Sequence, residues 1–431
     1  MLVLSLYTQL FEVDRKFYLY NAANNFFSKI SSLLYNALVD KSWDKLPTDV
    51  LNFMKEKRIL VEETQKFDYY YSELLRFNTM NYNKAHMGLV IAPTTACNFD
   101  CPYCFEPKKS PKTMTDEVMK QVVDFVRTNK HLKEIDITWY GGEPLLAFHK
   151  IKELYSQLGK EGMPEIQHQT IITNGYLFTN EVIQFFKDVK LNRIQITLDG
   201  VREHHNKTRC LKGEERLPTF DVIISNIKNI VKVIPGIHID VRVNINKINY
   251  NDFVDVYKYF REEVKSPKQI FVYPGIIRED SDDKCSLCAT SYNVGELSEL
   301  YQYFRDQGVD TSVFPHKKQK GCMMHSMNAF IIGPEGEIYK CWNDVSDLDK
   351  VIGNIFDDNL SGVSRYVKYM TQTIPFNDEC KHCAVFPLCD GGCSHHRYRN
   401  LFENGRFVLC SPYKDKEKLK KALFNGEIKI Q

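Results

Sequence analysis

The sequence has no apolar run long enough to cross a membrane as a helix. It also lacks the basic leading segment of a secretory signal: MLVLSLYTQLFEVD is apolar but soon meets Glu12 and Asp14. An excess of either charge is missing too. A net +2 over 431 residues calls for neither a nucleic acid nor an anionic membrane as partner. A cytoplasmic, reducing setting is therefore expected. There the 13 cysteines point to metal sites rather than to disulfides. The length suggests two or three domains.

Residues 1–85 hold a strand-like KFYLY, amphipathic stretches around Phe26 to Val39 and Pro47 to Lys57, and then RILVEE. Helices with a short strand pair predict a small α+β module, winged-helix-like. Its lysines alternate with acidic residues and make no basic stripe, so peptide recognition fits better than DNA binding. A plain cap on the next domain is the competing reading.

Over residues 86–275, six strand-like runs (GLVIAP, EIDITWY, HQTIITN, RIQITLD, HIDVRVNI, QIFVYP) alternate with helix-like stretches. This predicts an α/β fold with a parallel sheet and right-handed crossovers. Six units do not reach the eight of a closed barrel. A partial (β/α)6 TIM-like barrel is expected over a flat doubly wound sheet. In either architecture ligands bind at the carboxyl ends of the strands.

The first strand ends in TTACNFDCPYCFEP, with Cys97, Cys101 and Cys104 in one loop. Spacings of four and three could be one face of a helix, but Pro102 removes a helix donor and restricts its neighbour. Three converging thiolates suit a metal. A structural zinc takes four ligands, and no fourth Cys or His lies nearby in the sequence. Three cysteines on an iron–sulfur cube would leave one iron open. Later strands end in WYGGEP (Gly141, Gly142, Glu143), TNG (Asn174) and TLDG (Thr197, Asp199). Each alone is ordinary turn chemistry; on successive strands of one sheet they outline one pocket.

Residues 276–315 form a bridging region whose charged stretch holds Cys285 and Cys288, as a metal pair, a redox pair or two incidental thiols. Residues 316–431 carry Cys322, Cys341, Cys380, Cys383, Cys389, Cys393 and Cys410. Core packing does not explain C-x2-C-x5-C-x3-C in a loop rich in Gly and Pro. Metal cages do.

CNFDCPYC resembles the CxxxCxxC signature of radical S-adenosylmethionine (SAM) enzymes, including the aromatic residue before the third cysteine. The C-terminal pattern, a cysteine, Gly336-x4-Cys341, the four-cysteine run and a last cysteine, resembles the SPASM extension found in peptide maturases of this family. The resemblance implies a [4Fe–4S] cluster on Cys97, Cys101 and Cys104, with S-adenosylmethionine on the open iron. It further implies a cofactor pocket made of Gly141, Gly142, Glu143, Asn174, Thr197, Asp199 and Arg209, with Glu143 toward the methionine amine. Two auxiliary clusters are implied: an outer one on Cys380, Cys383, Cys389 and Cys410, and an inner one on Cys322, Cys341 and Cys393, making three [4Fe–4S] clusters. The inner one lacks a fourth cysteine after Cys322 and could use Cys285, Cys288 or His325. The implied activity is oxidation of a ribosomally made precursor peptide through a 5′-deoxyadenosyl radical, forming a C–C or thioether cross-link. Its partners would be a leader-bearing peptide and a reductant such as flavodoxin or ferredoxin. A sulfatase-maturing enzyme, a maker of a small metabolite from a peptide and a non-catalytic electron carrier are the alternatives. Against the first, sulfatase-maturing relatives usually carry Asp directly after the Gly-x4-Cys cysteine, where this chain has Trp342 and its nearest carboxylate is Asp344.

Overall fold

The computed structural model describes residues 1–104, 111–264, 268–276, 292, 296–310, 315–357 and 363–425; Cys285 and Cys288 lie outside them. The chain opens with β1 (Leu2–Leu4), β2 (Thr8–Val13), β3 (Lys16–Asn21) and β4 (Phe26–Ile30). Strands β2, β3 and β4 form an antiparallel sheet. The stretch expected as helix from Phe26 is thus divided. FFSKI pairs with β3, and Ser31, whose hydroxyl accepts from Leu34 N, starts the helix Ser32–Val39. After the helix Thr48–Glu56 comes β5 (Leu60–Glu62), which pairs antiparallel with β1.

Leu19, Leu38, Met54, Ile59 and Leu60 give this region its own core. On another side Tyr7, Phe11 and Tyr20 pack with Val385, Phe386, Leu388, Leu419 and Leu423. The two ends of the chain therefore share apolar burial. The helix Asp68–Asn81 joins this contact through Tyr70, 5.3 Å from the Phe386 ring.

The next six strands are β6 (His86–Thr94), β7 (Glu134–Gly141), β8 (Glu165–Thr173), β9 (Arg193–Leu198), β10 (His238–Ile245) and β11 (Ile270–Ile276). Each is parallel to the next and they lie in chain order. With no reversal of strand order, this is the sequence of a barrel sector and not of a doubly wound sheet. Ile135, Ile137 and Trp139 on β7, and Ile239, Val241 and Val243 on β10, are buried. They share a core with the crossover helices Asp116–Thr128, Phe148–Leu158, Asn180–Asp188 and Phe220–Val233. The alternating positions are polar: Asp136 and Thr138, Gln195 and Thr197, Arg242 and Asn244.

The sheet continues past β6. β12 (Ala329–Ile332) pairs parallel with β6, and β13 (Glu337–Tyr339) and β14 (Gly353–Asn354) come next, antiparallel. This ties the C-terminal cysteine region to the strand that carries the first cysteine loop. No helix among the described residues is long and apolar enough to cross a membrane.

Candidate active site

β6 ends at Thr94, and the backbone at the end of β7 holds the start of the cysteine loop. Gly142 N donates to Thr94 O (3.1 Å) and Glu143 N to Ala96 O (2.8 Å), fixing the residue before Cys97. A side chain on Gly141 would strike the Thr94 carbonyl, and one on Gly142 the carbonyls of Thr95 and Ala96. The two glycines therefore serve a close approach between the chain's own segments. Glu143 is fully buried. Its carboxylate accepts from Leu145 N (3.1 Å), Thr173 Oγ1 (2.8 Å) and Asn174 N (2.7 Å), joining the ends of β7 and β8. Burial pushes its pKa up to about 7 against those three donors. Asn174 Nδ2 in turn donates to Asn98 Oδ1 (2.8 Å), inside the cysteine loop.

A second network crosses the pocket. The Tyr103 hydroxyl donates to Asp199 Oδ1 (2.6 Å), and Thr208 Oγ1 and Asn244 Nδ2 donate to the same carboxylate at 2.6 and 3.2 Å. Arg209 Nη1 donates to the Tyr103 oxygen (3.1 Å), and the guanidinium lies 5.4 Å from the centre of the Phe99 ring. Burial disfavours the Arg209 charge, but Tyr103, Cys101 and Asp199 outweigh it, and its pKa lies above the ordinary value. Burial pushes the Cys101 thiol up to about 12 against the pull of Arg209; Cys97 is raised by burial as well. Buried thiols that resist ionisation become thiolates readily once a metal supplies the positive charge. Thr197 lies half-buried on β9, in register with Arg242 of β10.

The C-terminal cysteines fall into two groups. Cys341 is buried, and burial, Asp344 and the neighbouring Cys322 and Cys393 raise its thiol above the ordinary range. Cys380 and Cys383 couple to Cys389, and Cys383 also to Cys410. Each group has a buried lysine beside it. Lys340 donates to Ala329 O (2.7 Å) and to Ser326 O. Burial brings its pKa down to about 7, with Cys322 opposing. Lys320 is 3% exposed, and its ammonium has no hydrogen-bond partner and lies 3.8 Å from the Phe386 ring centre. Burial lowers its pKa to about 8, with Glu73 and Cys389 opposing. Buried cations short of counter-charge are costly, and an anionic thiolate-held group beside them removes that cost.

Trp342, directly after Cys341, packs edge-on against Tyr140, 4.7 Å between ring centres, next to the Gly141–Gly142 turn. Asp344 is fully buried. Its Oδ2 accepts from the Tyr369 hydroxyl (2.8 Å), and its Oδ1 lies 3.2 Å from His395 Nε2.

Residues 91–260 match the model of the radical SAM superfamily. They form a radical SAM domain. Over 363 residues, 76% of this chain and 95% of the relative, the sequence is 26% identical to the cysteine-type anaerobic sulfatase-maturating enzyme of Clostridium perfringens. It is 21% identical to the radical SAM cyclopropyl synthase TigE of Paramaledivibacter caminithermalis over 382 residues, 80% of this chain and 76% of that enzyme. The structure of Streptococcus suis SuiB bound to precursor peptide SuiA shares the fold. It superposes with a TM-score of 0.51, covers 94% of this chain and 97% of that one, and is 14% identical.

A radical SAM domain implies S-adenosylmethionine and a [4Fe–4S] cluster. The three thiols of the loop after β6 suit that cluster: Cys97 and Cys101 are part-buried thiols that a metal's charge would ionise, and Cys104 is exposed beside them. The polar strand ends suit a zwitterionic cofactor. Sequence reasoning noted Tyr103 only as the aromatic residue before the third cysteine and missed Asn98, Thr173, Thr208 and Asn244, whose bonds link the strand ends and the cysteine loop. Of these four, only Asn98 carries a signal in the sequence, its position between two cysteines.

Proposed function

We propose that this chain is a radical SAM peptide maturase that oxidatively cross-links a ribosomally made precursor peptide. In this reading Cys97, Cys101 and Cys104 hold the SAM-binding cluster. Gly141, Gly142, Glu143, Asn174, Thr197, Asp199 and Arg209 line the cofactor pocket. Residues 316–431 are a SPASM domain with an outer auxiliary cluster on Cys380, Cys383, Cys389 and Cys410 and an inner one on Cys322, Cys341 and Cys393. The buried Lys320 and Lys340 support two anionic groups there. Bound cofactor and cluster supply hydrogen abstraction from an unactivated C–H bond. The chain's own share is to clamp the loop through Glu143, to orient it through Tyr103, Asp199 and Arg209, and to exclude water.

The observation that carries the reading is Trp342. The place where sulfatase-maturing relatives usually have an Asp is filled by an indole packed on Tyr140, and Asp344 is turned to Tyr369 and His395. An indole takes no proton, and a catalytic base needs hydrogen-bond reach of its substrate. The N-terminal region supports a leader-peptide role. Its sheet has strand edges at β2 and β4, and a cleft of about 210 Å³ there is lined by Tyr7, Leu60, Tyr69, Lys55 and Arg58. The likeness to the peptide-bound SuiB structure over 94% of this chain is in keeping with that role.

The test is anaerobic incubation with S-adenosylmethionine, a reductant such as flavodoxin, and two kinds of peptide: any short peptide found encoded by an open reading frame adjacent to the gene, and a sulfatase-type Cys or Ser peptide. A precursor lighter by two hydrogens, with the loss surviving reduction and thiol alkylation, is expected. A hydrazine-reactive aldehyde on the sulfatase peptide would overturn the reading.

A further inference from the structure

Cys322, Cys341 and Cys393 are three thiols where a cubane offers four irons. Among the described residues, one group of metal-binding side chains converges beside them. Cys341, Asp344 and His395 each bring a ligand atom within 4.8 Å of the others, and all three are buried. His395 stands two residues after Cys393, in the first turn of the helix Ser394–Phe402 that Cys393 precedes. It is 6% exposed, and its two nitrogens differ. Nε2 faces Asp344 Oδ1 at 3.2 Å, whereas Nδ1 is buried with no hydrogen-bond partner.

A buried imidazole nitrogen without a partner is costly. The same arrangement is what a metal-bound histidine shows: one nitrogen on the metal, the other oriented by a carboxylate. That carboxylate is itself held, by the Tyr369 hydroxyl at 2.8 Å and by Lys350, 3.9 Å from Oδ1. His325, the histidine the sequence offered, also has a buried Nδ1 without a partner, but it does not converge with Cys341. Its Nε2 lies 3.0 Å from Ser394 Oγ and 3.1 Å from Thr373 Oγ1.

We infer that His395, through Nδ1, is the fourth protein ligand of the group held by Cys322, Cys341 and Cys393, with Asp344 as its orienting carboxylate. This rests on the auxiliary-cluster reading above. It closes the inner cluster to direct ligation by substrate. An imidazole in place of a thiolate also raises the cluster's potential, as histidine ligation does in Rieske centres.

The test uses the full chain carrying Cys97→Ala, Cys101→Ala and Cys104→Ala, so that only C-terminal iron remains. The chain is reconstituted anaerobically with iron and sulfide, labelled with 15N-histidine and reduced for pulsed EPR. About eight iron atoms per chain are expected, together with a strongly coupled histidine nitrogen. That coupling should persist in His325→Ala and vanish in His395→Ala. Should His395→Ala not fold, His395→Cys keeps a ligand. It should retain the iron, lose the nitrogen coupling and move the inner cluster to lower potential. Eight irons with no coupled nitrogen, or a coupling that survives either His395 variant, would overturn the ligand assignment alone. About four irons would remove the inner cluster, and the inference with it.

Discussion

The loop carrying Cys97, Cys101 and Cys104 hangs from a sheet. Backbone bonds from Gly142 and Glu143 grip Thr94 and Ala96, and one buried carboxylate ties the β7 end to the β8 end. Cys341 adjoins the sheet just past β13, but the cysteines after it have no such frame. Among the described residues between Trp342 and Cys410 the regular structure is one two-residue strand, short helices and turns. Position there comes from aromatic packing, from glycines pressed against Pro375 and Leu409, and from lysines buried beside thiols. A sheet end sets geometry with or without a metal. A loop cage with buried cations, as proposed for the C-terminal cysteines, would depend on the anionic group it holds. The first region should therefore lose function but keep its shape when stripped of metal, and the second should lose its shape.

The largest effect expected comes directly from that contrast. On the proposed ligand assignment, changing Cys97, Cys101 and Cys104 together to Ala should abolish 5′-deoxyadenosine formation, because the iron that would take the cofactor loses its ligands, while C-terminal iron should stay. Chromatography of the quenched reaction beside an iron assay measures both. Continued cofactor cleavage, or loss of all iron, would break the separation of the two regions.

Next comes the clamp. Glu143→Ala removes a buried acceptor of three bonds and leaves Leu145 N, Thr173 and Asn174 N unpaired. The loss should be about 3 kcal/mol of chain stability, as when one partner of a buried charged network is deleted. Binding of S-adenosylmethionine should weaken tenfold or more, at about 1.4 kcal/mol per tenfold. Denaturant unfolding and calorimetry read the two. Weaker binding at unchanged stability would make Glu143 a direct cofactor contact and not a clamp.

Much of this contrast tracks legibility. The six parallel strands were readable because each is a short apolar run with an amphipathic helix after it, and GGEP, TNG and TLDG stand where strands end. The β2–β3 hairpin was not. Its two-residue turn uses Asp14 and Arg15 at φ 50° and 57°, with neither the Asn-Gly nor the Asp-Gly pair that advertises such a turn. FIIGPEGEIYKC was readable as strand, turn, strand, but its pairing with β6 was not, since register between distant segments leaves no local mark. Spacing identified the cysteines. It could not show that Lys320 and Lys340 are buried, because lysine is ordinarily a surface residue. The partnership of Asp344 with His395 joins positions 51 residues apart and is likewise invisible in the sequence.

A smaller effect tests those cations. In Lys320→Met the outer cluster should reduce at a potential lower by roughly 60 mV, a tenfold change for a one-electron couple, because a nearby positive charge favours the reduced, more negative state. The cluster-free chain should move the other way. Lys320 has no hydrogen-bond partner, so an apolar side chain of similar length should stabilise it by about 1 kcal/mol. Opposite signs in the loaded and empty chain are the mark of a charge placed for the cluster. Destabilisation of both would make Lys320 part of the packing alone.

The smallest effect lies where the two regions meet. Tyr140 ends the buried part of β7, one residue before the turn that grips the cysteine loop; Trp342 stands next to Cys341. Their rings meet edge to face at 4.7 Å, with Val90, Ile331 and Tyr339 around them. Such a pair contributes about 0.5–1.5 kcal/mol beyond the area it buries. If the contact couples the sheet-held site to the loop-held one, Tyr140→Leu and Trp342→Leu should not add. The double variant should be less destabilised than the sum of the singles by that amount, read from urea unfolding of all four chains under one set of conditions. Trp342→Phe, which keeps an edge for Tyr140, should retain most of the coupling. Additive losses would mean that the indole fills space without linking the regions. Trp342 would then be explained only by the absence of a carboxylate after Cys341, and Trp342→Asp should be tolerated at a cost no larger than that of Trp342→Leu.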